Sequence, residues 1–212
     1  MDRRLSTAAA VITTAFAALA VYLFAFRTGV GRDLDGALLS AVLFPLGERG
    51  TGPLTMLVHT ADSGPFILAS LLVLWFAARR RGPLMALRAG AILAGANLTT
   101  QLLQPLLAQP RPHEAVIAAQ AWPSGHATAA ASLFVCVLML TRRRSVRVAA
   151  GAWAFGVVAC VMVLGWHFPS DALGGLLIVA SWTGLALAPW PALERRRASG
   201  STAASSVRPS QA

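Results

Sequence analysis

The chain has 212 residues, of which 56% are hydrophobic and 12% charged. Mean hydropathy is +0.63. Soluble domains carry about 25% charged residues, so this composition excludes an ordinary soluble globular protein. It also excludes a disordered chain, apart from the ends. Net charge is +10, and every cation is arginine. The arginines sit in short clusters between apolar runs, not on one stripe. That pattern speaks against a nucleic-acid partner and for a polytopic membrane protein. Two cysteines are too few for a disulfide framework or a thiolate zinc site.

A helix crossing the hydrocarbon core needs about 20 apolar residues. Six segments are candidates: Ala8–Phe26, Gly64–Ala78, which is short and is expected to extend upstream, Ala89–Ala108, Ser124–Thr141, Val148–Trp166 and Asp171–Trp190. The expected fold is therefore all-α, a polytopic membrane protein with six transmembrane helices over residues 1–197. The first segment is too long for a signal-peptide core and five more follow, so it is read as an uncleaved helix. Residues 198–212 are rich in Ser, Ala, Thr and Pro and are expected to form a disordered tail. Arg3–Arg4, Arg79–Arg81 with Arg88, Arg142–Arg144 with Arg147, and Arg195–Arg197 with Arg208 alternate with segments holding only Arg27, Arg32, Arg49 and Arg111. The positive-inside rule then places both termini in the cytoplasm of a cell-membrane protein. The loops near 27–63, 107–123 and 166–171 fall outside. In the first of these, Leu34, Leu38, Ala41 and Val42 suit an interfacial helix over 33–44. Pro45, Gly47, Gly50, Gly52 and Pro53 suit a turn-rich stretch after it.

Chemistry-bearing residues gather on that outer face. In Pro123-Ser124-Gly125-His126, Pro123 is expected at the first helical position. The unpaired N–H groups of a helix start, a glycine that admits close approach and the Ser124 hydroxyl all suit a phosphate. His126 is placed to give a proton to a leaving oxygen. In His167-Phe168-Pro169-Ser170-Asp171, Pro169 keeps Phe168 out of the helical region. Asp171, four residues on, can hold one imidazole nitrogen and aim the other outward as nucleophile or base. Arg111 offers a fork matching phosphate oxygens. With only Glu114 and Asp171 near these histidines in sequence, a two-metal carboxylate site fits poorly, and no cofactor is expected. A bland reading stands beside each piece: a helix cap, a capping His–Asp pair, a snorkelling arginine. His59 is read as bonding locally to Asp62. His113 and Glu114 are read as solvated, and Cys136 and Cys160 as buried thiols. Trp122, Trp166 and Trp190 are read as interfacial anchors. Gly90, Ala91, Ala94 and Gly95 are read as a close-packing surface.

Together these motifs resemble the type 2 phosphatidic acid phosphatase superfamily, which also includes vanadium-dependent haloperoxidases and bacterial acid phosphatases. Its pattern is KxxxxxxRP, PSGH and SRxxxxxHxxxD, matched here between Gln104 and Asp171. The resemblance implies a helical membrane phosphatase that hydrolyses a lipid phosphate or diphosphate of polyprenyl, phosphatidic acid or phosphatidylglycerophosphate type. It implies His167 as the nucleophile forming a phosphohistidine, Asp171 as its orienter and His126 as the acid. Arg111, Ser124 and Gly125, with Gln104 in the lysine position, would bind phosphate. Two departures stand out: Gln104 replaces the family lysine, and Cys160-Val161 replaces Ser-Arg. A charged hydrogen bond is worth about 1.5–3 kcal/mol, so a slow enzyme is expected. Two other readings use the same residues. One is a non-catalytic lipid-phosphate binder. The other is a lipid transporter, with Asn97, Gln101, Gln104 and Pro105 lining a polar path.

Overall fold

The computed structural model describes residues 2–42, 48–107 and 122–188. These residues fold into eight helices without strands: α1 Asp2–Arg27, α2 Gly29–Val42, α3 Glu48–His59, α4 Ser63–Arg81, α5 Pro83–Leu106, α6 Gly125–Leu140, α7 Arg144–Val163 and α8 Pro169–Leu187. The six expected spans fall on α1, α4, α5, α6, α7 and α8. Three of them, over Thr7–Arg27, Arg144–Val163 and Pro169–Leu187, are individually long and apolar enough to cross a membrane. Gly52–His59 and Ser63–Arg81 meet the same test only as a pair bent by 46°. The expected tail and Trp190 lie outside the described residues.

Large apolar side chains cover the outside as well as the core. Phe16, Leu71, Trp75, Leu102 and Phe155 are exposed, as lipid-facing side chains would be. Where α5 meets α6 the interior is small and hydroxylated. Ala127, Thr128, Ala130 and Ser132 of α6 are buried, and Thr128 Oγ1 lies 3.0 Å from Thr100 Oγ1 on α5. Small residues let helix backbones approach closely, which takes the place of a hydrophobic drive inside lipid. Here α5 packs on α4, α6 and α8, α6 on α7 and α8, and α1 along α8. Gly95 of α5 fulfils its expected packing role, since a methyl there would collide with the Trp182 indole.

Several expectations need correction. The stretch 45–53 is not all turn, because α3 starts at Glu48 and contains Pro53. A proline there costs one backbone hydrogen bond, which a helix seated against α7 can bear. Pro123 is not the first helical residue: Ser124 is the N-cap and α6 starts at Gly125. Trp122 is not an interfacial anchor. It is 2% exposed, its ring centroid lies 5.0 Å from that of Tyr22, and it covers Gly174. Its neighbours bury it because α1 and α8 pack as a pair at this end.

The amphipathic helix is present as α2. Val30, Leu34, Leu38 and Val42 recur every fourth residue and are exposed, whereas Gly31, Asp35 and Leu39 face inward. One apolar stripe and one protein-facing stripe are what an interfacial helix needs.

The closest approach that matters for the site is between α6 and α8. A Cβ on Gly175 would lie 2.8 Å from Thr128 Oγ1 and 2.9 Å from the Ser124 carbonyl oxygen. Backbone cannot yield as a side chain tip can, so Gly175→Ala is expected to destabilise by about 1–3 kcal/mol. Thermal unfolding of the detergent-solubilised variant checks this, and an unchanged midpoint would contradict it.

Candidate active site

The turn from α7 into α8 builds one half of the site. Gly165 adopts φ 68°, a conformation glycine takes without steric cost. The chain then doubles back, and the Val161 carbonyl accepts both the Trp166 N–H at 2.9 Å and the His167 N–H at 3.2 Å. Phe168 is extended (φ −71°, ψ 155°) and Pro169 opens α8, as the sequence suggests. Asp171 sits in the first turn of α8. Its Oδ2 accepts the Phe168 N–H at 2.9 Å and faces His167 Nδ1 at 3.3 Å. His167 is 3% exposed and Asp171 fully buried. With Nδ1 engaged, Nε2 is the ring nitrogen left for chemistry.

The start of α6 builds the other half. Ser124 is wholly buried, and its Oγ accepts the Ala127 N–H at 3.3 Å. That bond makes Ser124 the cap of α6, and Ser124 is not among the residues lining the cavity described below. The Ser124 N–H donates to the Asp171 carbonyl at 3.0 Å, joining the two motifs. His126 emerges two residues later. Its ring centroid is 6.4 Å from that of His167, with the rings at 62°.

Two carboxylates that sequence reasoning did not connect to the site belong to it. Asp62, between α3 and α4, holds His126 Nε2 with Oδ1 at 2.9 Å and His59 Nδ1 with Oδ2 at 2.7 Å. The expected His59–Asp62 bond is therefore real but is half of a larger arrangement. Partial burial pushes the Asp62 carboxyl up, yet the hydrogen bonds from His126 and His59 outweigh it and hold it below its ordinary value. Asp35 of α2 is buried against the start of α8. It accepts the Ser170 N–H at 3.0 Å through Oδ1 and the Ser170 hydroxyl through Oδ2. Desolvation raises its carboxyl above the ordinary value, despite these two hydrogen bonds.

The substituted family positions have local explanations. The Gln104 amide donates to the Pro123 carbonyl at 2.9 Å, so it steadies the turn before His126. Val161 is fully buried and packs with Val58 and Cys160. Arg111, His113 and Glu114 lie outside the described residues.

Asp62, His126, His167, Gln104, Gln101 and Gly125 share one cavity of about 1080 Å³. From these polar groups it descends between α4 and α5 past Ile67, Leu71, Leu93 and Leu98 to Leu74 and Gly90. Ser63 to Leu74 spans roughly 16 Å at 1.5 Å per residue. The result is a polar mouth above a mostly apolar slot. Asn97, also on this wall, donates to Ser132 Oγ at 3.2 Å. Its amide is tied to the bundle.

The PAP2 superfamily model matches residues 85–193, a stretch that contains both histidine motifs and more than half of the chain. The chain belongs to the PAP2 superfamily. A 73-residue stretch is 41% identical to phosphatidylglycerophosphatase B of Escherichia coli K12, and equally to that of Shigella flexneri. The match covers 33% of this chain and 28% of those relatives. Across 88% of the chain the fold matches the crystal structure of a transmembrane PAP2-type phosphatidylglycerolphosphate phosphatase from Bacillus subtilis, with a TM-score of 0.71 at 19% identity. That match covers 96% of the Bacillus chain, so the helical fold is shared almost end to end.

Within this PAP2 fold, Asp35 fastens the interfacial helix to the residue before Asp171. Removing it in Asp35→Ala strands the buried Ser170 N–H and hydroxyl, at a cost of about 1–3 kcal/mol. Asp35→Asn keeps an acceptor and is expected to cost less. Because the folded carboxyl titrates above the unfolded one, its protonation favours the folded state. That stability is complete below the unfolded value and is lost as pH rises through the folded value. Asp35→Asn should flatten this slope. Unfolding midpoints of wild type and variant, compared upward from about pH 4, test both expectations.

Proposed function

We propose that this PAP2 protein hydrolyses a lipid phosphate or diphosphate at the extracytoplasmic face of the cell membrane, through a phosphohistidine intermediate. The observation that carries the proposal is the convergence of His126 and His167 on one cavity whose polar mouth opens into an apolar slot. A phosphate at the mouth and a hydrocarbon chain in the slot make an amphiphile the natural occupant. The relatives named as phosphatidylglycerophosphatases favour that headgroup class. Polyprenyl diphosphate and phosphatidic acid share the same chemistry.

In the proposed reaction His167 Nε2 attacks phosphorus while Asp171 holds Nδ1 and stabilises the charge that develops on the ring. The P–N bond forms as the P–O bond to the lipid breaks. His126 donates a proton to the departing oxygen, giving a neutral lipid alcohol. Water then attacks the phosphohistidine, His126 takes one of its protons, and phosphate leaves. The nucleophile is an imidazole and the acid is an imidazolium, so the scheme runs without a metal. The start of α6, at Gly125, adds a positive dipole end near the phosphate. Arg111 completes the proposed phosphate clamp from the 107–123 loop. Fewer cations than the family pattern leave the expected rate low.

Six spans, with both termini in the cytoplasm, accord with the arginine distribution. The ends of α1, α5 and α7 and the starts of α4, α6 and α8 would then share the outer face. That puts the mouth at headgroup level, where a lipid need not leave the bilayer.

Phosphate release by purified protein from a panel of lipid phosphates, with EDTA present, tests the proposal. Release is expected to survive EDTA and to fall by at least about 10³-fold in His167→Ala. Folded protein that binds a lipid phosphate but releases nothing would establish the non-catalytic reading instead.

A further inference from the structure

We infer that Asp62 is the positioning residue of the acid, a partner to His126 as Asp171 is to His167. The inference rests on the phosphatase reading above. Asp62 Oδ1 lies 2.9 Å from His126 Nε2, across 64 residues of sequence. The other oxygen is taken by His59 Nδ1 at 2.7 Å. Both oxygens are thus directed at imidazoles.

The carboxylate is also fixed at its base. The turn that carries it is closed by bonds from the Ala61 N–H to the Val58 carbonyl at 2.9 Å and from the Asp62 N–H to the His59 carbonyl at 3.2 Å. The Asp62 carbonyl then accepts the Phe66 N–H at 2.9 Å, in the first turn of α4. Trp153 Nε1 on α7 donates to Thr60 Oγ1 at 2.9 Å and ties the turn to the bundle. A side chain held this way can set the plane of the His126 ring.

Electrostatics give the contact its purpose. An isolated carboxylate on a cavity wall would repel a phosphate. Paired with a histidine, it favours the protonated ring, the form an acid must have before the lipid oxygen departs. Among the described residues, the ionisable groups facing His126 are Asp62 and His59 from the α3–α4 turn and His167, backed by Asp171, from the α7–α8 turn. From α5 come the neutral Gln101 and Gln104. Asp62 is an anion in direct contact with the ring. In the proposed step the proton moves from His126 to the lipid oxygen as the P–O bond breaks. Asp62 keeps its charge throughout.

The test compares wild type, Asp62→Asn and Asp62→Glu, each as the full chain in detergent. Two substrates are used: a short-chain phosphatidic acid, whose alkoxide needs a proton to leave, and p-nitrophenyl phosphate, whose phenolate leaves without one. The quantity read is kcat/KM, which covers only the steps up to phosphohistidine formation. Asp62→Asn is expected to lose about 10- to 100-fold on phosphatidic acid and less than about threefold on p-nitrophenyl phosphate. The alkaline limb of the phosphatidic acid profile should move down by about one pH unit. Asp62→Glu should recover part of the loss. Equal losses on both substrates with an unmoved limb, or no loss at all, would overturn the inference.

Should wild type release phosphate from neither substrate, the phosphatase reading fails on its own. NMR titration of the His126 imidazole, assigned through His126→Gln, then decides the contact. A titration at lower pH in Asp62→Asn than in wild type upholds the pairing, and identical curves overturn it.

Discussion

A single backbone hydrogen bond, from the Ser124 N–H to the Asp171 carbonyl at 3.0 Å, ties the two halves of the site together. It joins the cap of α6 to the first turn of α8, so the residues after each junction inherit a fixed relation. His126 follows one end by two positions, and His167 precedes the other by four. The bond can form because α6 and α8 approach closely, and they do so because Gly175 leaves room for Thr128 and the Ser124 carbonyl. Gly174, beside it, accepts the face of Trp122, which seals the junction from above. Two glycines and one amide proton thus set the spacing of two catalytic candidates that lie 41 residues apart in sequence.

Other contacts protect that junction. Asp35 reaches from α2 to Ser170, immediately before Asp171. Burying a carboxylate is costly unless its oxygens are satisfied, and here one residue satisfies both. The amphipathic helix α2 thereby gains a fixed point in the core, while its apolar stripe of Val30, Leu34 and Leu38 remains exposed. Asp171 differs: Phe168 N–H and His167 Nδ1 share Oδ2, and buried Oδ1 has no partner among the described residues. Each buried acid in the region fastens a helix start.

Local spacing made part of this visible in the sequence. Hydrophobic runs placed six helices, the helical spacing of Leu34, Leu38 and Val42 marked α2 as a helix, and His167 with Asp171 at i and i+4 announced their pairing. His59 and Asp62, three apart, did the same. The missing pieces are those that no local period encodes. Asp62 and His126 are 64 residues apart, and Asp35 and Ser170 are 135 apart. Neither pair shares a motif, and each depends on how helices stack. Trp122 misled for a related reason. Its position at a span end suits an interfacial anchor, but the packing of α1 on α8 surrounds it. The start of α3 was hidden because Gly50, Gly52 and Pro53 carry the composition of a turn, whereas the seat against α7 favours helix. Tertiary packing overrides propensity there.

Val161 and the placement of Asp62 are linked through the seat of α3. Val161 is fully buried with Val58 and Cys160, and Leu54, Leu57 and Trp166 pack around them. This apolar floor is where α3 sits. Leu57 also lies over Gly156, whose missing side chain leaves space for it. An arginine at position 161 would have to bury a guanidinium in that floor or lift α3 away, either at several kcal/mol. With valine in place, α3 settles against α7, and the turn after it delivers His59 and Asp62 beside His126. Val161 thus lies under α3 and outside the cavity, while the carboxylate–imidazole pair of Asp62 and His126 lies on its wall.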